Sequence, residues 1–293
     1  VTVGLADGYD QKMMRGTNFF RATLVLAAAA GALWGADAPG AGKTWTLAIG
    51  ISKYQNLPKE LWLQYPEKDA KTFAEFVASP RGGGATPQQI RILTDEQATT
   101  ANIRQAFKTF LKDVGKDDTV YVLIAGHGTV DNTGAYVLTY DADPGNLGAT
   151  ALPMSDLHNL VEDEVSHAGH VILLADVCRA ASIAGQKTTT LANLIEKVGE
   201  TSGEMLGLMA ARPKEVSFES PEYGGGHGAF TWSVLKGLGG EADTDHDGVV
   251  TAGELIDYVS KDVAKGTGDK QHPRDFGNMD NATKLADLSK AAS

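Results

Sequence analysis

From residue 45 onward the chain alternates short apolar runs with segments whose apolar residues recur at helical spacing. Trp45 to Ile51 is an apolar run ending in a turn that holds Lys53 and Tyr54, and Ile90 to Leu93 is a second short run. Tyr121 to Ala125 (YVLIA) and Val171 to Ala175 (VILLA) are apolar at every position, the pattern of strands covered on both faces. Met205 to Ala210 is a further strand of this kind, and Tyr136 to Tyr140 reads as a hairpin arm. Between them, Glu67 to Ala78 places Ala70, Phe73, Ala74 and Val77 on one helical face. Thr100 to Val114 is the clearest helix, with Ile103, Phe107, Phe110, Leu111 and Val114 at i, i+4, i+7, i+8 and i+11. Leu157, Leu160, Val161 and Val165 mark another helix, and Thr231 to Leu238 and Leu255 to Val263 two more. This alternation predicts an α/β fold with a mainly parallel sheet.

The first residues follow a different pattern. Lys12, Arg15 and Arg21 precede an apolar run from Ala22 to Gly35, and Ala36-Asp37-Ala38 follows. That is the order of a secretory leader, and the run is shorter than the roughly 18 to 20 apolar residues that a spanning helix needs. The expected organisation is a leader over 1–38, one domain over 39–285 and a tail over 286–293. Export to the periplasm or the medium follows, with no stable membrane span after leader removal. A formal charge of −11 argues against nucleic acid or an anionic membrane surface as partner, because both need a basic footprint. Export also gives weight to Cys178, the one cysteine of the chain. It has no internal disulfide partner, so its thiol is reactive, intermolecular, or buried as a small hydrophobe.

Two apolar strands run into reactive side chains. Tyr121–Ala125 leads to Gly126-His127-Gly128, and Val171–Ala175 leads to Asp176-Val177-Cys178-Arg179. In open parallel sheets, ligands bind beyond the carboxyl ends of the strands, so neighbouring strands would bring His127 and Cys178 together. An imidazole next to a thiol supplies both the base and the cation that generate thiolate. The Gly128 amide could donate to a developing oxyanion.

Five segments carry a resemblance: Trp45–Leu61 (WTLAIGISKYQNLPKEL), Pro66–Phe76 (PEKDAKTFAEF), Tyr121–Gly128 (YVLIAGHG), Leu173–Ala180 (LLADVCRA) and Gly226–Gly237 (GHGAFTWSVLKG). In this order they resemble the caspase-like peptidases, most closely the bacterial relatives of metacaspases. The resemblance implies a three-layer αβα sandwich, the caspase–hemoglobinase fold. It implies peptide-bond hydrolysis through an acyl-thioester, with His127 as general base and acid, Cys178 as nucleophile and no organic cofactor. The amides of Gly128 and Cys178 would form the oxyanion hole. Asp176, two residues before the cysteine, and Asp69, at the start of the first helix, match acidic pocket positions of metacaspases. They imply a peptide or protein substrate with Arg or Lys before the scissile bond. Ala125 departs from the serine frequent two residues before the histidine. Lys187 lies on the connector where caspase relatives are often cut. The alternative is a catalytically silent caspase-like module that acts as a calcium-binding interaction protein. The oligomeric state is not encoded in any motif.

The second chemical motif is Asp243-Thr-Asp245-His-Asp247-Gly248-Val249-Val250-Thr251-Ala-Gly-Glu254. It matches a twelve-residue EF-hand loop: acids at positions 1, 3 and 5, Gly at 6, an aliphatic at 8 and Glu at 12. Asp243, Asp245, Asp247, the Val249 carbonyl, Thr251 and Glu254 would supply the oxygens for Ca2+. Thr251-x-x-Glu254 is equally a capping box for the next helix, and no second loop pairs with it. His158, His167, His170, His227 and His272 lack metal-ligand spacing and read as surface or core residues. The glycine-rich loop at 224–228 is expected to border the substrate groove, and Trp62 and Trp232 to be packing anchors.

Overall fold

The computed structural model describes residues 42–179, 200–212 and 215–290, with Cys178 and Arg179 described by their backbone. The leader expected over 1–38 and the cleavage position at Lys187 lie outside these residues. Along the chain run β1 (Thr44–Gly50), α1 (Pro66–Ala78), β2 (Ile90–Thr94), α2 (Thr100–Gln105), β3 (Thr119–Val130) and β4 (Ala135–Val137). Then come α3 (Leu147–Thr150), β5 (Leu152–Pro153), α4 (Met154–Glu164), β6 (His170–Arg179), β7 (Met205–Met209), β8 (Glu219–Ser220) and β9 (His227–Gly228). The last elements are α5 (Ala229–Lys236), β10 (Val249–Thr251), α6 (Ala252–Gly266), β11 (Arg274–Gly277) and β12 (Lys284–Asp287).

The main sheet has the order β11-β7-β6-β3-β1-β2, and β4 and β5 extend it from β3. β1 runs parallel to β2 and β3, β3 to β6, and β6 to β7. Only its margins are antiparallel, where β11 meets β7 and β4 meets β3. Successive side chains of a strand point to opposite faces, so strands that are apolar at every position need cover on both. Leu47, Ile49, Val122 and Leu173 meet Ile103, Phe107, Leu111, Leu157 and Val161 on one face. Leu123, Ile172 and Leu174 meet Phe73 and Val77 of α1, Phe230 and Val234 of α5, and Leu255 and Val259 of α6 on the other. The result is the expected three-layer αβα sandwich with a mostly parallel sheet. Among the described residues no helix is long and apolar enough to cross a membrane.

The structure departs from the expected elements in three places. The helix over Thr100 to Val114 is continuous but not uniform: α2 gives way to a wide π turn at Ala106–Phe110 and a 3-10 turn at Leu111–Asp113. Ile103, Phe107 and Leu111 remain fully enclosed, while Phe110 is only partly covered. β3 and β6 outlast their apolar runs, so His127 and Cys178 sit inside paired strands and not in loops beyond them. Partners on both sides of β3, β6 and then β4, sustain the ladder through the glycines. Finally, β12 pairs antiparallel with β10, which carries regular structure past residue 285.

Candidate active site

β3 and β6 hold one parallel register from Thr119 opposite His170 to Gly128 opposite Arg179. Within it His127 stands opposite Cys178, and Ala125 opposite Asp176. Adjacent strands lie about 4.8 Å apart, so the two backbones are immediate neighbours at the carboxyl edge of the sheet. Gly128 is registered with Arg179 on one side and Val137 on the other.

The segment after β1 fixes the imidazole. Asp95 accepts the amides of Ser52 and Lys53 and pairs with the Lys53 ammonium at 2.9 Å, which turns the chain back over the sheet edge. Tyr54 then lies on the His127 ring, with centroids 5.2 Å apart and planes 29° apart. Its hydroxyl donates to the Ile51 carbonyl at 3.0 Å and accepts the His127 amide at 2.8 Å. Further along, the Leu61 carbonyl stands 2.7 Å from His127 Nε2. A carbonyl only accepts, so Nε2 carries a proton and, in the neutral ring, Nδ1 carries the lone pair. Burial lowers the His127 pKa below the ordinary histidine range, with the Leu61 bond opposing it, so the neutral form prevails at neutral pH. Nδ1 is buried and has no hydrogen-bond partner among the described residues. A buried nitrogen with an unused lone pair is a base awaiting a proton.

Beside this edge lies an acidic pocket. Asp69, in the first turn of α1, is 2% exposed, and Asp176, on β6, is 5% exposed. His227 Nδ1 lies 2.6 Å from Asp69 Oδ1, and the Gly228 amide donates to Asp69 Oδ2 at 3.1 Å. The hydroxyls of Ser217 and Thr231 donate to the two oxygens of Asp176 at 2.7 and 2.8 Å. Gly228 separates the carboxylates: a Cβ there would lie 2.6 Å from Asp176 Oδ2 and 3.2 Å from Asp69 Oδ2. No larger residue fits between them. A third carboxylate, Glu219 of β8, also lines the pocket and accepts the amides of Gln64 and Tyr65. Burial pushes Asp69 up to about 6, opposed by the His227 bond and assisted by the charge of Asp176. Burial also raises Asp176, against the Ser217 and Thr231 bonds, and Glu219, where the Asp176 charge adds to it. The walls enclose only about 10 Å³, the room of one water molecule.

The expected site residues thus fall into two groups. His127, Cys178, Gly128, Asp69 and Asp176 converge at one sheet edge, while Asp243, Asp245, Asp247, Val249, Thr251 and Glu254 form a separate loop between α5 and α6. In that loop Asp243, Asp245 and Asp247 bring ligand atoms within 4.8 Å of one another. Asp243 Oδ1 is buried with no hydrogen-bond partner. Glu254 is turned elsewhere. Its Oε1 accepts the amide and hydroxyl of Thr244, and its Oε2 those of Thr251. Partial burial works against its ionisation, but these bonds prevail and hold it at about 2.

Several participants carry no mark in the sequence. Leu61 acts through a backbone carbonyl, which any residue has. Tyr54, Ser217, Glu219 and Thr231 lie far along the chain from the groups they touch. His227, whose spacing matches no metal site, is buried behind the pocket and holds Asp69, and Trp232 stacks on it. Trp62 donates through Nε1 to the Tyr54 carbonyl and braces the His127 support.

The sequence model of a family described as "Caspase domain" matches residues 43–281. Among solved structures, the crystal structure of a protein from Geobacter sulfurreducens is similar, with 18% identity and a TM-score of 0.57. The likeness covers 86% of this chain and 99% of that one, and at this identity it concerns the fold alone. No curated protein matches the chain.

Proposed function

Because the chain belongs to the caspase domain family, we propose that it is a cysteine endopeptidase that cleaves after Arg or Lys. The observation that carries this reading is the registration of His127 with Cys178, together with the unpartnered, buried Nδ1 of His127. In the reaction, His127 Nδ1 takes the proton of the Cys178 thiol, and the thiolate attacks the carbonyl carbon of the scissile bond. The Gly128 and Cys178 amides receive the negative charge that develops on the carbonyl oxygen. The imidazolium returns its proton to the leaving amine, which leaves an acyl-thioester. Water, deprotonated by His127, then releases the acid product and restores the thiol. The Leu61 carbonyl and the Tyr54 ring keep Nδ1 aimed through both steps.

Two enclosed carboxylates and the half-buried Glu219 around the pocket favour a cationic side chain over a neutral or acidic one. Insertion of a lysine or arginine side chain requires the pocket to widen, because the space between the walls holds only a water. The test is hydrolysis of peptides that carry Arg or Asp before a fluorogenic leaving group. The wild type should cleave the Arg peptide, and Cys178→Ala and His127→Ala should lose at least about 10³-fold in kcat/KM. Hydrolysis that survives Cys178→Ala would sink the proposal. No hydrolysis at all would leave the silent binding module in its place.

The loop at Asp243–Glu254 is part of the same proposal as a calcium site. The buried, unpartnered Asp243 Oδ1 and the converging Asp245 and Asp247 fit a hard cation. Val249, Thr251 and Glu254 would complete the set, with Glu254 leaving its bonds to Thr244 and Thr251. EF-hand loops normally steady each other in pairs; here β12 supplies the strand that β10 pairs with. A bound ion would brace α5 against α6. Calorimetric titration with Ca2+ reads this without reference to activity, and absence of heat at millimolar Ca2+ would remove the site. Export through residues 1–38 is read by N-terminal sequencing of protein recovered from the periplasm or medium.

A further inference from the structure

The glycine-rich loop before β9 has no catalytic or phosphate-binding signature, yet it delivers a histidine that is more enclosed than His127 itself, 2% exposed against 8%. Gly224 (φ +58°) and Gly226 (φ +116°) sit where a Cβ would come within 2.6 Å of the Trp232 ring and 2.4 Å of the Tyr65 ring. The loop therefore closes directly onto both rings and turns His227 inward. There the imidazole stacks on Trp232, with centroids 5.3 Å apart and planes 14° apart. Its Nδ1 meets Asp69 Oδ1 at 2.6 Å, and the amide of the next residue meets Asp69 Oδ2 at 3.1 Å. One dipeptide, His227-Gly228, thus holds both oxygens of Asp69.

We infer that His227 is a positioning residue for substrate specificity: its Nδ1–H holds the Asp69 carboxylate, as an anion, beside Asp176 at the base of the pocket. The inference rests on the peptidase reading above. Two carboxylates this enclosed, set on either side of Gly228, oppose each other's ionisation. A proton kept by either one would halve the charge offered to a guanidinium or ammonium. A donor fixed on Asp69 opposes that outcome, and stacking on Trp232 fixes the donor. The α1 and α5 N-termini assist: Asp69 lies in the first turn of one, and Gly228 caps the other. Burial still pushes Asp69 up to about 6, so the His227 bond acts where the anion is only marginally favoured.

A merely packing histidine would be replaced by leucine at a cost in stability but not in preference. The decisive measurement is kcat and KM for an Arg peptide and for an otherwise identical citrulline peptide, which has the shape without the charge. His227→Leu should raise KM for the Arg peptide about 10- to 100-fold, the weight of one hydrogen bond to a charged group, and leave KM for the citrulline peptide unchanged. His227→Asn, whose side-chain amide can donate from nearly the same position as Nδ1, should regain most of the loss. Equal effects on the two peptides, or none on either, would overturn the inference. Calorimetric binding of agmatine, an alkylguanidine with no scissile bond, separates the two claims when made on Cys178→Ala with and without His227→Leu. Agmatine binding that depends on His227, with no hydrolysis by the wild type, overturns the peptidase reading and keeps the inference. Arg-specific hydrolysis that ignores His227→Leu does the reverse. Neither binding nor hydrolysis overturns both.

Discussion

Asp69 and Asp176 are almost wholly enclosed, whereas Asp245 and Asp247 stand in solvent. Both groups are clusters of carboxylates built against the start of a helix. In the pocket, the partners are mostly side chains and amides from distant segments, and burial outweighs them: Asp69 rises to about 6. In the loop, the partners are neighbours in the chain, burial is slight, and Glu254 falls to about 2. The difference is one of what each site spends its hydrogen bonds on. In the pocket they offset the cost of charge where water is excluded, and on the proposed reading a cationic substrate group would meet that charge. The loop uses them to hold its backbone in the turn, and the carboxylates of Asp245 and Asp247 face the solvent.

The comparison breaks most visibly at Asp176. Asp176→Asn keeps the shape and the Thr231 and Ser217 neighbours but removes the charge. It should lower kcat/KM for an Arg peptide about 10²- to 10³-fold, because a desolvated partner of a buried cation is lost. Stability should hold or rise, since an enclosed amide costs less than an enclosed carboxylate. Thermal unfolding beside the kinetics checks both halves. An intact Arg preference in this variant would mean that the pocket charge does not select the substrate.

A smaller effect comes from pH. Asp69 with a folded value near 6 is about one-tenth ionised at pH 5 and nine-tenths at pH 7. KM for the Arg peptide should therefore fall up to about 10-fold from pH 5 to 7 as the carboxylate charges. Stability runs the other way. A carboxylate raised in the folded state contributes its full stability below its unfolded value, near 3.8, and loses it as pH rises through 6. Glu254 has the opposite sign: its contribution is present above 4.5 and is lost as pH falls toward 2. In Asp69→Asn the KM profile should be flat over this window; an inflection that persists would belong to another group, such as Glu219.

The same contrast explains how much of the molecule is legible in its sequence. The central strands are legible because cover on both faces forbids polar residues at any position of Tyr121–Ala125 or Val171–Ala175. The acidic loop is legible as a cluster because Asp243, Asp245 and Asp247 stand at fixed spacing in one contiguous segment. His127 and Cys178 are legible only as a pair of strand ends, which the parallel register brings side by side. The rest of the site is assembled across the chain: 158 residues separate His227 from Asp69, and 66 separate His127 from Leu61. No periodicity relates such positions, and a carbonyl leaves no trace in residue type. The π turn at Ala106–Phe110 is hidden for another reason, because it shifts the helix face without changing which residues are apolar.

Glu254 gives the smallest effect and the finest test. In chelator, Glu254→Gln weakens the bonds to Thr251 and Thr244, the two halves of a helix cap and a loop clasp. The expected loss is about 1 kcal/mol, the usual scale for a capping group, read from urea unfolding. Calcium should act on the wild type in the other sense, but not by the full affinity of a free loop. The ion must draw the carboxylate away from Thr244 and Thr251, so the cap it surrenders offsets part of the binding. Glutamine cannot ligate through two anionic oxygens, and the stabilisation by calcium should disappear in the variant. If calcium stabilises Glu254→Gln as strongly as the wild type, then Glu254 serves α6 alone, and the three aspartates hold whatever ion the loop takes.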